Sequence, residues 1–468
     1  MEITIIGLII LPLTLLLFMW KHNLSLVMKL TIFFVPFCAL SVANFHIGSF
    51  SFGIGLDRYF AIILMASVAF LSIFKGYKGP DLPKKTRILF LLFILSILFS
   101  LIAPTYFKNI LIWKRSGLDF FQAPLTFSYG NILKTAEILI VAFFFVSVYR
   151  AMPLVSSGKI ARIIILSLVI ISISALFDLL PVKQLYYSTG ETSIIPIWTA
   201  VKNNISYSHM PFTGTGHFCE PRLSGLALEP SHLAICAIGG FAIMAAFYKN
   251  NTVIFQRALD FSLLIIFAFI SILSFSPIMF IGFGIVLCYL CFKEGKLIVR
   301  RAAIVGLILL SAIILMSHLV GMNLILLTIK TIGEKLGFIK DSVNSSDFRA
   351  FCFFAAWNMF LKSPIIGIGW GTTGIDAGSF LYLLVSVGIL GTSVFIGLMI
   401  RIFKLAAAKL KGSGNPTEKS LREGLMISFL IVTITCLFTK GPLYFFHLPL
   451  IFIAASMCSD YGKVKTVQ

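Results

Sequence analysis

The sequence predicts an all-α polytopic membrane protein with about 12–13 transmembrane helices. Hydrophobic residues make up 59% of the 468 residues, charged residues make up only 12%, and the mean hydropathy is +1.00. A soluble chain of this length could not bury so much apolar surface in one core. Apolar runs of roughly twenty residues recur instead, and each is long enough to cross a bilayer as a helix. Because backbone amides in lipid must be satisfied within their own segment, these runs are predicted to be helical.

Thirteen apolar runs are predicted as spans, and together they place the N-terminus outside and the C-terminus inside. In chain order they cover 3–20, 24–43, 54–74, 87–103, 131–149, 160–180, 230–248, 258–273, 276–292, 302–320, 379–400, 424–439 and 442–459. The first run has no basic region before it and no clear cleavage site, so it is predicted to be a retained span. The first run and the close pairs around residues 275 and 441 can be counted in two ways, which gives the range of about 12–13.

The net charge of +20 is interpreted as a topology signal, and nucleic acid is not predicted as a partner. Lysine and arginine concentrate in four short connections, as the positive-inside rule expects of cytoplasmic loops. The clusters are Lys75, Lys78, Lys84, Lys85 and Arg87; Arg150, Lys159 and Arg162; Lys293, Lys296, Arg300 and Arg301; and Arg401, Lys404, Lys409, Lys411, Lys419 and Arg422. By contrast, the segment 181–232 is neutral overall, which is expected of a loop on the outer side.

Two long outer loops interrupt what is otherwise a single integral membrane domain covering residues 1–468. They run from 181 to 229 and from 321 to 378. Loops this long in a compact protein are usually functional. Both contain aromatic residues and are predicted to be ordered; these residues include Tyr186, Tyr187, Trp198, Phe348 and Trp357. The apolar segment 349–361 has the length of a helix and is expected to lie along the membrane surface rather than cross it.

The segment Arg222–His232 places an arginine and a glutamate at the start of a predicted span. Pro230 suits the first turn of a helix, so Glu229 would lie at or just before the helix start. The positive end of the helix dipole favours an ionised carboxylate there, which makes Glu229 a weak general base and a good partner for Arg222. Two explanations fit these residues equally well. One is a functional site, and the other is a structural ion pair that anchors the loop to the helix.

Three further features lie in the second loop. Arg349 begins the apolar segment, where an arginine is more often an ordinary interfacial residue than a functional one. The stretch Pro364–Gly371 contains closely spaced glycines, which allow a tight turn and close approach to a ligand. No strand–helix context surrounds it, so a phosphate-binding loop of the soluble type is not predicted. Asp376 and Ser379 follow immediately before a span.

Taken together, these pieces resemble the bacterial O-antigen polymerase and O-antigen ligase superfamily of GT-C-type membrane glycosyltransferases. The resemblance covers roughly residues 215–400, with its motifs in the family's order. They are the R-x-x-G-x-x-x-E-P-S motif at Arg222, Gly225, Glu229, Pro230 and Ser231; the turn Ser274-Phe-Ser276-Pro277, where proline replaces the family's arginine; and the series Ser345–Arg349, Trp357, Ser363–Gly371, Ser379-Phe-Leu and Gly388-Ile-Leu-Gly391.

The resemblance implies that the chain joins oligosaccharide repeat units carried on undecaprenyl pyrophosphate, at the periplasmic face of the inner membrane. It implies a GT-C-type architecture, lipid-linked oligosaccharides as donor and acceptor, contact with membrane lipids, and a chain-length regulator as a candidate partner. Because the pyrophosphate is already a good leaving group, neither a cofactor nor a metal is expected. His209, His217, Cys219 and Glu220 match no zinc pattern.

Arginines held against the pyrophosphate could stabilise the charge that develops on it. Within the resemblance Arg222 and Arg349 are therefore the predicted catalytic arginines, and Glu229 and Asp376 are the candidate carboxylates. The predicted substrate-binding residues are His232, Gly369, Ser379, Tyr187 and Trp198.

Two alternatives to a polymerase stay open. A ligase would transfer the glycan to lipid A-core, but ligases are expected to carry a histidine after the glycine-rich turn, where this chain reads Asp376-Ala-Gly-Ser379. A lipid-linked-oligosaccharide flippase would also fit the spans and the basic charge. A flippase should carry polar groups along a path within its spans, whereas most charges here lie at span ends.

Overall fold

A computed structural model of the chain describes residues 2–3, 5–20, 23–37, 40–47, 50–108, 110–116, 119–176, 230–274, 278–279, 281–289, 345–372, 378–439 and 447–458. This part of the chain is mostly helical. Its helices are α1 Ile5–Trp20, α2 Leu24–Phe34, α3 Leu56–Phe74, α4 Lys84–Ser100, α5 Ala103–Tyr106, α6 Tyr129–Ala151, α7 Ser157–Leu176, α8 Pro230–Lys249, α9 Arg257–Leu273, α10 Ser345–Lys362, α11 Ser379–Lys411, α12 Pro416–Thr439 and α13 His447–Met457. A further helical stretch covers 281–289.

Six helices of the described chain are long and apolar enough to cross a membrane. They are Leu56–Phe74, Lys84–Tyr106, Tyr129–Leu154, Ser157–Leu176, His232–Lys249 and Ser379–Lys411. Shorter apolar helices cover Leu24–Phe34, Phe351–Lys362 and Leu448–Met457. The length and composition of these helices are those of a polytopic membrane protein.

Most predicted spans coincide with helices. The predicted spans 54–74, 87–103, 131–149, 160–180, 230–248 and 258–273 fall on α3, α4, α6, α7, α8 and α9. The span predicted at 379–400 falls on α11, which continues as a helix to Lys411. The span predicted at 302–320 lies outside the described residues, as do 181–229 and half of 321–378.

The span predicted at 24–43 is wrong beyond Phe34. There α2 ends, and Ser41–Ile47 forms a strand, β2, that pairs antiparallel with β3, Phe50–Gly55. A two-residue strand, β1, Glu2–Ile3, adds to the other edge of β2. The described chain is mostly helical with few strands, which is consistent with the predicted all-α membrane protein. Backbone groups at a span end can pair as a hairpin where the chain turns back after two residues.

A second hairpin lies in the connection between α4 and α6. Its strands are β4, Leu111–Ser116, and β5, Asp119–Pro124. The hairpin packs against α10, where the rings of Trp113 and Phe351 meet edge to face at 5.1 Å. Lys362 donates from Nζ to the carbonyl of Leu111 at 2.6 Å, so the end of α10 is tied to the same hairpin.

The helix α8 lies at the centre of the packing. Its residues from His232 to Phe247 are buried, and it packs on α7, α9 and α12. The close contact with α12 depends on small residues: a methyl group added to Gly424 would lie 2.7 Å from the Cα of Ile243. Ser428 donates to the carbonyl of Gly239 at 3.0 Å across the same contact. Small residues and hydroxyl bridges of this kind hold helices together in lipid.

Several ion pairs lie at the end of the helices where three of the predicted basic clusters fall, called the basic end below. Arg150 pairs with Asp81 at 2.7 Å, and the Tyr77 hydroxyl donates to the carbonyl of Arg150 at 2.8 Å. Burial raises the pKa of the Tyr77 phenol to about 12. Nearby, Lys249 pairs with Glu423 at 3.2 Å. These contacts tie the connections of the basic end to the helices.

Replacing Asp81 by asparagine is expected to change stability only slightly, since the pair with Arg150 is solvent-exposed. The hydrogen bond from Arg150 lowers the pKa of Asp81. The small stabilisation is therefore present above the unfolded-state pKa of aspartate and is lost as the pH falls through the lowered pKa of the folded state. Melting of the purified protein in detergent, measured at neutral pH and near pH 2, should show a smaller difference between wild type and D81N at the lower pH.

Candidate functional site

The helix α11 is broken at Gly388. This residue has φ 66° and ψ −170°, which is not helical, and the chain on either side of it is helical. Glycine alone adopts this conformation readily, because a side chain would meet the backbone. A helix break leaves carbonyl groups before it and N–H groups after it without their usual partners. In a membrane such groups must be satisfied by other parts of the protein.

The glycine-rich turn, defined here as residues 363–372, supplies those partners. The N–H groups of Ile368 and Gly369 donate to the carbonyls of Val385 and Ser386, at 2.8 and 3.2 Å. In return, the N–H groups beyond the break donate to the turn, Ile389 to Pro364 at 2.8 Å and Leu390 to Ile365 at 3.3 Å. Hydrogen bonds to the turn thus replace the helical hydrogen bonds that the break interrupts. They join the turn to α11 on both sides of the break.

Close packing explains the glycines of this turn. Gly367, Gly369 and Gly371 all have positive φ, at 76°, 108° and 76°. A methyl group on Gly369 would lie 2.9 Å from the Pro104 ring, and one on Gly367 would overlap the backbone of Ser386. The sequence prediction of a tight turn is confirmed. The glycines bring the turn against other parts of the protein, and a contact of Gly369 with substrate stays a prediction.

Trp370 fixes the turn between α4 and α6. Its side chain is 0% exposed, its N–H donates to the hydroxyl of Ser100 at 3.1 Å, and its indole N–H donates to the carbonyl of Lys134 at 3.1 Å. The ring of Tyr382 meets the indole edge to face at 5.3 Å. A buried tryptophan that satisfies its indole N–H in this way stabilises one arrangement of the surrounding helices.

Asn131 completes the hydrogen bonding of the turn. Its amide donates to the carbonyl of Trp370 at 2.5 Å, and its side-chain oxygen accepts from the backbone N–H of Ser128 at 2.8 Å. Asn131 therefore caps the start of α6 and holds the glycine-rich turn with the same buried side chain.

Where α4 crosses a bilayer from Lys84 onward, the turn lies within the apolar layer. Ser100, which contacts Trp370, follows Lys84 at the basic end by 16 residues of α4. That is about 24 Å along a helix axis, less than the roughly 30 Å of hydrocarbon. Non-helical backbone is tolerated at such a depth where it is buried in protein or lines a polar cavity.

An ion pair lies beside the turn on α6. Lys134 and Glu137 are 2.9 Å apart, and their side chains are 32% and 30% exposed. The carbonyl of Lys134 accepts from Trp370, and a methyl group on Gly371 would lie 2.9 Å from the Lys134 Cβ. The pair is thus held at a fixed position relative to the turn. It is a charged and partly accessible feature at this end of the helices.

Of the predicted catalytic residues, Arg349 lies on α10 near its start, at the residue that begins the predicted surface helix. Arg222, Glu229 and Asp376 lie outside the described residues, as do Tyr187 and Trp198. The helix predicted to begin at Pro230 does begin there. Whether Glu229 orients Arg222 stays a prediction.

The predicted binding residues that the structure describes occupy separate positions. His232 is 3% exposed in the first turn of α8. Ser379 is buried at the first residue of α11. Gly369 lies in the glycine-rich turn against α4 and α5. Roles for these residues in binding substrate stay predictions.

Sequence reasoning did not single out Ser100, Asn131, Lys134 or Glu137. One signal was present, since Lys134 and Glu137 are charged residues inside the predicted span 131–149. Ionisable residues inside a span mark a functional site by default. Asn131 and Ser100 carry no such signal, because polar residues at span ends are common.

The described residues bring no group of three or more histidine, cysteine, aspartate or glutamate side chains together in a way that could hold a metal ion. Comparison of the chain with protein-family models and with curated proteins found no match. The functional assignment therefore depends on the residues themselves and on the geometry around the glycine-rich turn.

Proposed function

We propose that the chain is a membrane glycosyltransferase that polymerises oligosaccharide repeats linked to undecaprenyl pyrophosphate, at the periplasmic face of the bacterial inner membrane. The observation that carries this proposal is the glycine-rich turn, held at membrane depth against a broken helix and beside an accessible ion pair. A lipid-linked substrate reaches that depth without leaving the bilayer. The turn belongs to the segment that resembles the polymerase and ligase superfamily.

In the proposed reaction a terminal sugar hydroxyl of the incoming repeat attacks the anomeric carbon of the donor glycan. A new glycosidic C–O bond forms, the C–O bond to the pyrophosphate breaks, and the hydroxyl proton leaves. Arg222 and Arg349 would stabilise the charge that develops on the departing pyrophosphate. Glu229 and Asp376 are the carboxylates available to orient these arginines or to accept the proton. Holding both lipid-linked substrates at one depth contributes an entropic gain in rate.

A groove between α4 and α11 supports the lipid part of this proposal. It has a volume of about 580 Å³ and lies alongside the helix break, with Val387, Leu390 and Gly391 on one wall and Leu95 and Phe99 on the other. The leucine and phenylalanine side chains at its mouth are exposed, as is expected where a helix faces hydrocarbon. The groove is suited to an isoprenoid chain lying in the membrane beside the turn.

Replacing Arg222 by alanine is expected to leave the protein in the membrane and to reduce the surface glycan to single repeats. The loss of one charge-stabilising group typically costs a factor of about 100–1,000 in rate. The measurement is the banding pattern of extracted lipopolysaccharide or capsule, with membrane protein quantified in parallel. Arg257→Ala is a matched control, because it removes the same charge from an exposed position at the start of α9.

A normal ladder of chain lengths in the R222A strain would contradict the catalytic role of Arg222, whereas a shortened ladder in the R257A strain would show that any lost arginine disturbs the protein. The function as a whole is tested by the lipopolysaccharide banding pattern of a strain that lacks this protein. Core carrying one repeat indicates a polymerase, and bare core indicates a ligase or a flippase.

The flippase is the second candidate, and the ion pair of Lys134 and Glu137 is the observation that favours it. A transporter of lipid-linked sugars needs polar groups within its spans, and this pair lies within one. A flippase defect would leave unpolymerised repeats on the cytoplasmic side. Accessibility of the accumulated lipid-linked repeat to a membrane-impermeant sugar label, measured in intact spheroplasts, separates the two functions.

A further inference from the structure

We propose that Lys134 and Glu137 bind sugar hydroxyl groups of the lipid-linked acceptor next to the glycine-rich turn. This inference rests on the proposed function and adds to it a binding site that the sequence motifs do not contain. The pair differs from the ion pairs of the basic end in its position along the helices and in its neighbours.

The position of the pair along α6 supports a polar surrounding for it. Lys134 precedes Arg150 by 16 residues on α6, and Glu137 precedes it by 13. These separations are about 24 Å and about 20 Å along the helix. With Arg150 at the edge of the basic end, both side chains fall within the roughly 30 Å of hydrocarbon. Charges exposed to hydrocarbon are costly, so an accessible pair at this depth is expected to face water or a polar ligand.

The pair is accessible and rigidly placed. About a third of each side chain is exposed, so neither group is sealed within the protein. The carbonyl of Lys134 accepts from the indole of Trp370, and a methyl group on Gly371 would lie 2.9 Å from the Lys134 Cβ. A ligand held by this pair would therefore have a defined position relative to the turn and the helix break.

The charges of the pair indicate which part of the substrate it would bind. Lys134 donates hydrogen bonds and Glu137 accepts them, and their charges cancel over a distance of 2.9 Å. A pyrophosphate would be attracted by one group and repelled by the other. A sugar hydroxyl both donates and accepts, so it can satisfy both groups at once. The pair therefore suits the saccharide, and the pyrophosphate is left to Arg222 and Arg349.

The decisive test is an exchange of the two residues in the full-length protein. The double variant K134E/E137K keeps an ion pair in α6 but reverses its direction. If the pair serves only to stabilise the helix, the exchanged pair should behave as the wild type does. If it binds the acceptor, the exchanged variant should show a KM for the lipid-linked repeat raised about tenfold or more, with its melting temperature unchanged.

Two single variants keep the test valid if the exchange prevents folding. E137Q preserves the shape of the side chain and K134M preserves most of its length, and each is expected to raise the acceptor KM by about tenfold with a smaller change in kcat. K108M is the matched control, since Lys108 is an exposed lysine of the connection between α5 and β4. The probe is the lipid-linked repeat extracted from a deletion strain, presented to the purified protein in lipid nanodiscs.

The outcomes separate this inference from the proposed function. If the wild-type protein fails to extend the extracted repeat, the proposed function is overturned. If the wild type extends it and the exchanged and single variants have the wild-type KM, the pair binds no acceptor and only this inference fails. A raised KM in E137Q and K134M, without one in K108M, supports the site.

Discussion

Gly388→Ala is expected to abolish accumulation of folded protein in the membrane, although it adds only one methyl group. That methyl would overlap the carbonyl of Ile365, whose oxygen accepts a hydrogen bond from Leu390 across the break. The backbone conformation itself, φ 66° and ψ −170°, costs about 1–3 kcal/mol for a residue other than glycine. Displacing the turn would also leave buried backbone groups unsatisfied, at about 1–3 kcal/mol each. Together, these two costs are a large part of the free energy of unfolding of most proteins.

The same helix offers a matched control. Gly397 lies nine residues further along α11 in helical backbone, and a methyl group there would make only an ordinary contact with Leu89 at 3.9 Å. Gly397→Ala should therefore be tolerated, or should stabilise the helix by up to about 1 kcal/mol. The measurement is fluorescence-detected size-exclusion chromatography of both variants fused to a reporter. Equal, monodisperse peaks for G388A and wild type would show that the break is not required for folding.

Trp370→Ala is expected to have the second largest effect. The indole is fully buried between α4, α6 and α11, and removal of such a side chain typically costs about 3–5 kcal/mol. Since Trp370 also places the glycine-rich turn, we expect polymerisation to fail even where some protein still folds. Trp357→Ala is the control, because Trp357 is 41% exposed on α10. Thermal unfolding in detergent should show a large decrease for W370A and a small one for W357A.

A conservative variant separates the packing of Trp370 from its hydrogen bond. Trp370→Phe retains most of the buried ring but removes the indole hydrogen bond to the carbonyl of Lys134, which should cost about 1 kcal/mol. If W370F and W370A unfold at the same temperature, the hydrogen bond rather than the ring volume fixes the turn. Such a result would contradict the packing argument.

The helices could be predicted from the sequence, because in lipid a long apolar run has almost no alternative to a helix. Helices α3 and α7 begin and end within a few residues of the predicted spans 54–74 and 160–180. The two hairpins were missed because they lie at span ends, where apolar composition does not distinguish strand from helix. Each hairpin had a usable signal, a two-residue connection beginning with glycine, at Gly48-Ser49 and Gly117-Leu118.

For the candidate site, the sequence predicted the tight turn of residues 364–371 but not the segments that it contacts. The partners of the turn are Ser386 across the helix break, Ser100 on α4 and Asn131 on α6, and the last two are more than 200 residues away in the chain. A single sequence contains no information on which of many serines and asparagines will meet a given turn. Arg222 and Glu229 remain sequence predictions.

The exchange of hydrogen bonds between the glycine-rich turn and α11 has a consequence for biogenesis. A segment 379–411 leaving the translocon alone would have to close the break into a continuous helix, because carbonyl and N–H groups without partners in lipid cost several kcal/mol. We therefore expect the turn and α11 to enter the bilayer together as a re-entrant hairpin. Gly388→Leu should improve insertion of the isolated segment in a glycosylation-mapping assay while it disrupts the full-length protein. Equal insertion of the isolated wild-type segment and the isolated G388L segment would contradict this order of assembly.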